Sequence, residues 1–139
     1  MVRPAVTVGV ALLWNQTGDR LLISQRSPGS DFAGYWEFPG GKVLPGESIA
    51  DCIRREVEEE LGVVVSVGPL LLNVTHAYDH KTVTLAVHHC QVPGGAIPEP
   101  RQCQAVCWVA VADLASYQFP AANSVILQQL GQGGCPPWP

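Results

Sequence analysis

Six of the twelve acidic residues fall between Glu47 and Glu60, and Glu56, Glu58, Glu59 and Glu60 occupy four of five successive positions. Carboxylates crowded onto one helix repel one another unless a positive charge sits beside them. They also present oxygen atoms, the ligands that Mg²⁺ and Mn²⁺ prefer. Positions three or four apart share a helix face, so Glu56 and Glu60 stack, Glu59 lies beside them and Glu58 points elsewhere. At least one of these carboxyls is expected to have a pKa raised by its like-charged neighbours. Arg55 stands four residues before Glu59 and eight after Glu47, placed to orient either. The ordinary reading of such a run is a solvated acidic face. Four glutamates in five positions, preceded by the Gly40-Gly41 turn, point instead to a cation site.

The elements that must hold these groups can be read from pattern. From Glu47 onward Ile49, Ile53, Val57 and Leu61 recur every fourth residue, which gives a helix one apolar face with the acid cluster at its edge. Ser48, with Asp51 three residues later, resembles a capping box, and Gly62 is a stop signal. Before the helix, Ala5–Trp14 and Arg20–Gln25 read as a strand hairpin around the turn residues 15–19, then Ser27–Gly34 as a loop and 35–38 as a short extended piece. After it, 63–74, 82–92 and 105–109 read as strands, 93–100 as a loop and 113–117 as one helical turn. Ser124–Leu130 reads as a last amphipathic helix. That order predicts an α/β (α+β) protein, a mixed β-sheet between helices in an α/β/α sandwich. A single domain over residues 1–130 and a flexible tail over 131–139 are expected.

Composition limits the classes. The chain has 139 residues, 47% of them hydrophobic, and a net charge of −4. That is long and apolar enough for a buried core. Eight scattered Lys and Arg make no basic stripe for a nucleic-acid backbone, and no apolar run reaches membrane-spanning length. Five cysteines, Cys52, Cys90, Cys103, Cys107 and Cys135, include no CxxC pair, which reads as reduced thiols in a cytoplasmic protein. Cys103 and Cys107 lack a second pair for a zinc site. His76 and His80 read as loop residues, because a Mg²⁺ site wants oxygens.

From Gly41, five residues lead to Glu47, and seven more lead to Arg55-Glu56-Val57-Glu58-Glu59-Glu60-Leu61-Gly62-Val63. This resembles the Nudix box without a departure, nine fixed positions over 23 residues. The resemblance implies a Nudix fold and hydrolysis of a nucleoside diphosphate linked to a further group. It assigns metal ligation to Glu56, Glu59, Glu60 and the Gly40 carbonyl, and a structural ion pair to Glu47 and Arg55. Glu56, Glu59, Glu60 and Arg55 then form the catalytic set.

LLISQR, YWEFPGGK and FPAAN extend the similarity to the MutT-type branch, from about Thr7 to Leu130. That branch cleaves nucleoside triphosphates to the monophosphate and pyrophosphate. Its best-known substrate is 8-oxo-dGTP, a nucleotide-pool sanitising role linked to DNA repair. Positions matching its nucleotide pocket are Phe38 and Asn123 for the base, Arg26 near phosphates or sugar, and Tyr78 for stacking. An Asn amide both donates and accepts, so Asn123 can read a purine edge, or it caps the last helix. Phe38 serves the pocket or the core, and Trp14 and Trp108 are assigned to packing. A nucleotide is the implied partner, with no nucleic acid or membrane required, for a monomer or homodimer.

One position departs from the branch. Its late-loop glutamate, a base or further metal ligand, falls at Gln102, and Gln cannot take a proton at neutral pH. Glu99 could substitute if the loop folds differently; otherwise Glu59 activates the water or turnover is slow, and the sequence leaves the base open. Two other functions compete: a Nudix hydrolase for a pyrimidine triphosphate or ADP-ribose, and a non-catalytic reader of damaged bases. Modules of the latter kind usually have eroded boxes, and this one is complete.

Overall fold

The computed structural model describes residues 4–131; apart from Gly131, the expected tail lies outside the described residues, as does Cys135. Strand β1 (Ala5–Trp14) is the spine of the sheet. Along one edge it runs parallel to β6 (Thr82–Gln91), from Ala5↔Thr82 to Trp14↔Gln91. Along the other, its first half pairs antiparallel with the short β4 (Gly40–Lys42), and its end turns into β2 (Arg20–Gln25). The turn is closed by the Asn15 side-chain oxygen, which accepts the N–H groups of Asp19 and Arg20 at 3.0 and 3.1 Å, a local bond that Asn makes readily. Beyond these, β2 carries β3 (Trp36–Glu37) and β7 (Ala105–Ala110), and β6 carries β5 (Ser66–Ala77). The sheet is mixed, as the sequence predicts.

Alternation along β1 and β2 divides the core between two faces. Ala11, Leu13 and Leu22 meet Ile53, Val57 and Leu61 of helix α1 (Ile49–Leu61). Val10, Leu12, Trp14, Leu21 and Ile23 meet Ile126 and Leu130 of helix α2 (Ser124–Gly131). This is the three-layer α/β/α arrangement. Ile53, Val57 and Leu61 are fully buried, each contributing roughly 1.5–3 kcal/mol of hydrophobic stabilisation. That packing fixes the azimuth of α1 and therefore where its glutamates stand.

Ser48 caps α1 by accepting the Asp51 N–H at 3.1 Å, but the Asp51 carboxylate turns to Arg54 at 2.9 Å. Only half of the expected capping box is therefore made. The Gly62 N–H closes the other end on Glu58 O. Several boundaries differ from the sequence reading. Gly40-Gly41 lies in β4 rather than in a turn. Strand β5 starts at Ser66 and runs on to Ala77, its register broken between Val67 and Leu72 around Gly68-Pro69, where proline offers no N–H. His76 consequently stands in a strand, opposite Val83, not in a loop. The late helical turn is a 3-10 turn over Val111–Ser116, and a second, Ala121–Asn123, leads into α2. Among the described residues no helix is long and apolar enough to cross a membrane.

Candidate functional site

Arg55 organises the box. Its Nε donates to Glu47 Oε2 at 2.8 Å and its Nη2 to Glu47 Oε1 at 3.0 Å, a two-pronged pair. Nη2 also reaches the Lys42 carbonyl at 3.1 Å, so this side chain ties the loop after β4 to the helix. Its Nη1 takes Glu56 Oε1 at 2.8 Å and lies 3.5 Å from Glu59 Oε2. Glu47 is only 14% exposed. The Arg55 guanidinium, helped by the Leu44 N–H, draws its pKa down to about 2, because both hydrogen bonds favour the charged form. The same contacts raise the Arg55 pKa, the Glu47 bond first and the Glu56 bond second.

Glu60 is held differently. Its Oε2 accepts the backbone N–H of Gly40 at 3.1 Å. Burial pushes its pKa up to about 8, against that single hydrogen bond, and the charges of Glu37, Glu56 and Glu59 push the same way. Gly40 has φ 154°, and a Cβ there would overlap the Gly9 carbonyl oxygen across the ladder. A Cβ on Gly41 would run into the Glu56 carboxylate. At Gly40 the clash is with backbone, so only glycine permits this close pass of β4, while at Gly41 the neighbour is the end of a flexible side chain. Glu59 is 48% exposed and the least committed of the three, and Glu58 faces solvent.

The donor set suits a hard divalent cation: carboxylate oxygens crowded beside a bare backbone, one of them costly to ionise where it sits. Among the described residues no three acidic, His or Cys side chains are gathered at metal-ligand spacing. Glu56 is drawn towards Arg55 and Glu60 towards Gly40.

The loop before β7 docks on the end of α1. Glu99 N–H donates to Leu61 O at 2.8 Å, while Arg101 and Gln102 donate to Glu60 O at 2.9 and 3.3 Å. These bonds satisfy helix-end carbonyls that would otherwise lack partners. They also keep Gln102 beside Glu60 and Glu99 past the helix end, where its carboxylate faces Arg101 at 3.7 Å.

Arg26, Phe38, Tyr78 and Asn123, dispersed over 98 positions of the chain, line one cavity of ≈ 270 Å³ together with Gly40. Phe38 is 5% exposed in the core and stacked on Phe119 at 5.2 Å, and it also lines this cavity. The Asn123 side chain donates back to Pro120 O at 3.4 Å and does not cap α2. Trp14 is buried and donates to His89 at 3.0 Å, and Trp108 packs on the α1 side of the core. Cys52, Cys90, Cys103 and Cys107 are free thiols.

Glu37 and Phe32 also line the cavity, and the sequence gives no sign of either role. Glu37 accepts from Arg26 Nη1 at 2.7 Å, a pairing across 11 residues that no helical or strand period announces. Phe32 sits in a polar loop with nothing to single it out.

The description "NUDIX domain" fits residues 9–129. The 8-oxo-dGTP diphosphatase of Haemophilus influenzae is 33% identical over 132 residues, covering 94% of each chain. The CTP pyrophosphohydrolase of Escherichia coli is 31% identical over 109 residues, 78% of this chain and 80% of that one. Among solved structures, the MutT protein from Methanosarcina mazei Go1 superposes with a TM-score of 0.81 at 28% identity, over 95% of this chain and 96% of the other. Nudix hydrolases generally work with divalent metal ions. With the box intact on α1 and the family match spanning nearly the whole chain, this protein belongs to the NUDIX domain family and is a Nudix hydrolase of MutT-like fold.

Proposed function

We propose that the enzyme hydrolyses a purine nucleoside triphosphate, an oxidised one of the 8-oxo-dGTP kind, to the monophosphate and pyrophosphate, with Mg²⁺ or Mn²⁺ as cofactor. One observation carries the reading: Gly40 holds Glu60 through its N–H and also lines the cavity that contains Arg26, Phe38 and Asn123. A nucleotide whose base fills the cavity therefore has its phosphates at the acid helix. The similarity to an 8-oxo-dGTP diphosphatase supports the purine.

In this reading Glu56, Glu59, Glu60 and the Gly40 carbonyl hold the cation, which when bound offsets the charge that develops on the phosphoryl oxygens. Arg55 positions Glu56 and Glu59 and is itself fixed by Glu47. Asn123 reads the base edge through its amide, and Phe38 supports the base from below. Arg26 supplies positive charge at the cavity wall. Gln102 has no basicity to offer, so Glu59, half-exposed and 3.5 Å from Arg55, accepts the proton of the attacking water through the oxygen not engaged by the cation. No nucleic acid or membrane is needed for any of these steps.

The test is pyrophosphate release, measured as kcat/KM, from dGTP, 8-oxo-dGTP, dATP, dCTP and CTP, with ADP-ribose as the non-triphosphate control. An 8-oxo-dGTP value about tenfold or more above the others is expected, the size of one net hydrogen bond of about 1.4 kcal/mol. A preference for CTP or dCTP, or hydrolysis confined to ADP-ribose, overturns the substrate assignment.

A further inference from the structure

Besides Tyr78, the lining of the cavity includes an aromatic ring, that of Phe32, which no role above requires. Among the described residues, the two most exposed Phe, Tyr or Trp side chains are Phe32 at 55% and Tyr78 at 39%, and both line this same cavity. An aromatic ring left in water forgoes its burial, and a pair of them at one cavity mouth is the arrangement expected where a flat ligand completes the packing.

The backbone at Phe32 points the same way. Its φ is 58°, the one positive value at a non-glycine position among the described residues. For a bulky residue the left-handed region is a costly outlier that persists where surrounding contacts impose it. Those contacts are present. Arg26 Nε donates to the Asp31 carbonyl at 2.5 Å, immediately before Phe32, and the Gly34 N–H returns to Arg26 O at 3.1 Å. Tyr35 N–H donates to Phe32 O at 3.0 Å, and the Phe32 ring leans edge-on against Tyr35 at 5.5 Å. Arg26 in turn is anchored on Glu37, whose strand pairs with β2 at Ser24↔Glu37. The loop over residues 27–34 is strapped to the cavity rim by the very arginine that faces the cavity.

We propose that Phe32 is a specificity-determining residue that covers the nucleobase, stacking on the face of the ring opposite Phe38. The inference rests on the cavity being the base site, as proposed above. Stacking explains why the position carries an aromatic ring held at the lip in a costly backbone conformation, where glycine or asparagine would be cheaper. Base stacking on an aromatic ring is worth ~1–3 kcal/mol by alanine substitution, which sets the size of the effect.

The experiment compares Phe32→Ala, Phe32→Leu, Phe32→Tyr and Phe32→Trp with Asn123→Ala in the full-length enzyme, measuring kcat and KM for 8-oxo-dGTP and melting temperature. Phe32→Ala is expected to raise KM by about tenfold or more with kcat within about threefold. Tyr and Trp should restore KM and Leu should not, and melting should shift little because the side chain is more than half exposed. A Phe32→Ala KM within twofold of the parent overturns the proposal, as does full restoration by Leu. If Asn123→Ala also leaves KM unchanged, the cavity itself is not the base site; if it raises KM while Phe32→Ala does not, only the role of Phe32 fails. A variant that melts more than about 5 °C below the parent shows Phe32 to be structural and likewise contradicts the assignment.

Discussion

A 3.1 Å hydrogen bond from the Gly40 backbone to Glu60, 20 residues away, joins the cavity lined by Arg26, Phe38 and Asn123 to the acid helix. Among the described residues it is the one hydrogen bond opposing the burial of that carboxylate, whose pKa stands at about 8 against an ordinary 4.5. Site and cavity are thereby one structure, with the edge of β4 shared between them.

Glu60→Gln keeps an oxygen that accepts the Gly40 N–H and removes the charge. A carboxyl whose folded pKa lies above its unfolded value destabilises the native state as pH rises from about 4.5 through about 8. In chelator, the parent should therefore lose stability over that window, by at most about 3 kcal/mol at pH 7. The variant should lack this loss and melt several degrees higher. Mg²⁺-dependent turnover should fall by a factor of ~10² or more. Thermal melts from pH 5 to 8 and a pyrophosphate assay check both; unchanged turnover would refute the ligand role of Glu60.

Gly41→Ala tests the close pass of β4 under the cluster. The added methyl meets the end of a flexible side chain, so Glu56 can swing aside at small cost to folding. The displaced carboxylate should lower kcat by roughly 10–100-fold and raise the Mg²⁺ concentration giving half-maximal rate. Activity like that of the parent would show that the Glu56 position does not matter.

The Glu47–Arg55 brace gives an acid signature of opposite sign. Glu47 has a folded pKa of about 2, so its stabilisation is complete above the unfolded value near 4.5 and disappears as pH falls towards 2. Glu47→Gln should destabilise the protein at pH 7 and converge with the parent at pH 2–3. Arg55→Lys should not rescue activity, since an ammonium cannot engage Glu47, Glu56 and the Lys42 carbonyl together. Denaturant melts across pH and a rate assay provide the readouts. A constant stability gap down to pH 2 would exclude the ionised brace.

Asn123→Ala should raise KM for the oxidised purine by about tenfold and shrink its advantage over pyrimidine triphosphates. The amide is held by one 3.4 Å bond to Pro120 O, so stability should change little. Steady-state kinetics on both substrates decide this, and an unaltered preference would move base recognition elsewhere.

Legibility in the sequence follows the range of the interaction. Helix α1 is readable in full because Ile53, Val57 and Leu61 repeat at the helical period and Ser48 and Gly62 mark its ends. The Glu47–Arg55 pair spans eight residues and belongs to the box pattern. Strand β4 is invisible because two glycines carry no alternation; its pairing with Val8–Val10 is a tertiary event. The docking of residues 99–102 on α1 rests on backbone N–H groups, which every sequence but proline supplies, so no side-chain pattern records it. Phe38 reads ambiguously because it occupies both core and cavity, and Glu37 and Phe32 acquire meaning once Arg26 folds between them.

The most direct test is a crystal structure of the enzyme with Mn²⁺ and a non-hydrolysable analogue of 8-oxo-dGTP, located by the anomalous signal of manganese. The expected result is manganese bound by Glu56, Glu59 and Glu60, with the base between Phe38 and Phe32 and its edge on Asn123. Manganese bound away from α1, or the base outside the Arg26–Phe38–Asn123 cavity, would contradict the joining of acid helix and cavity on which the proposed reaction depends.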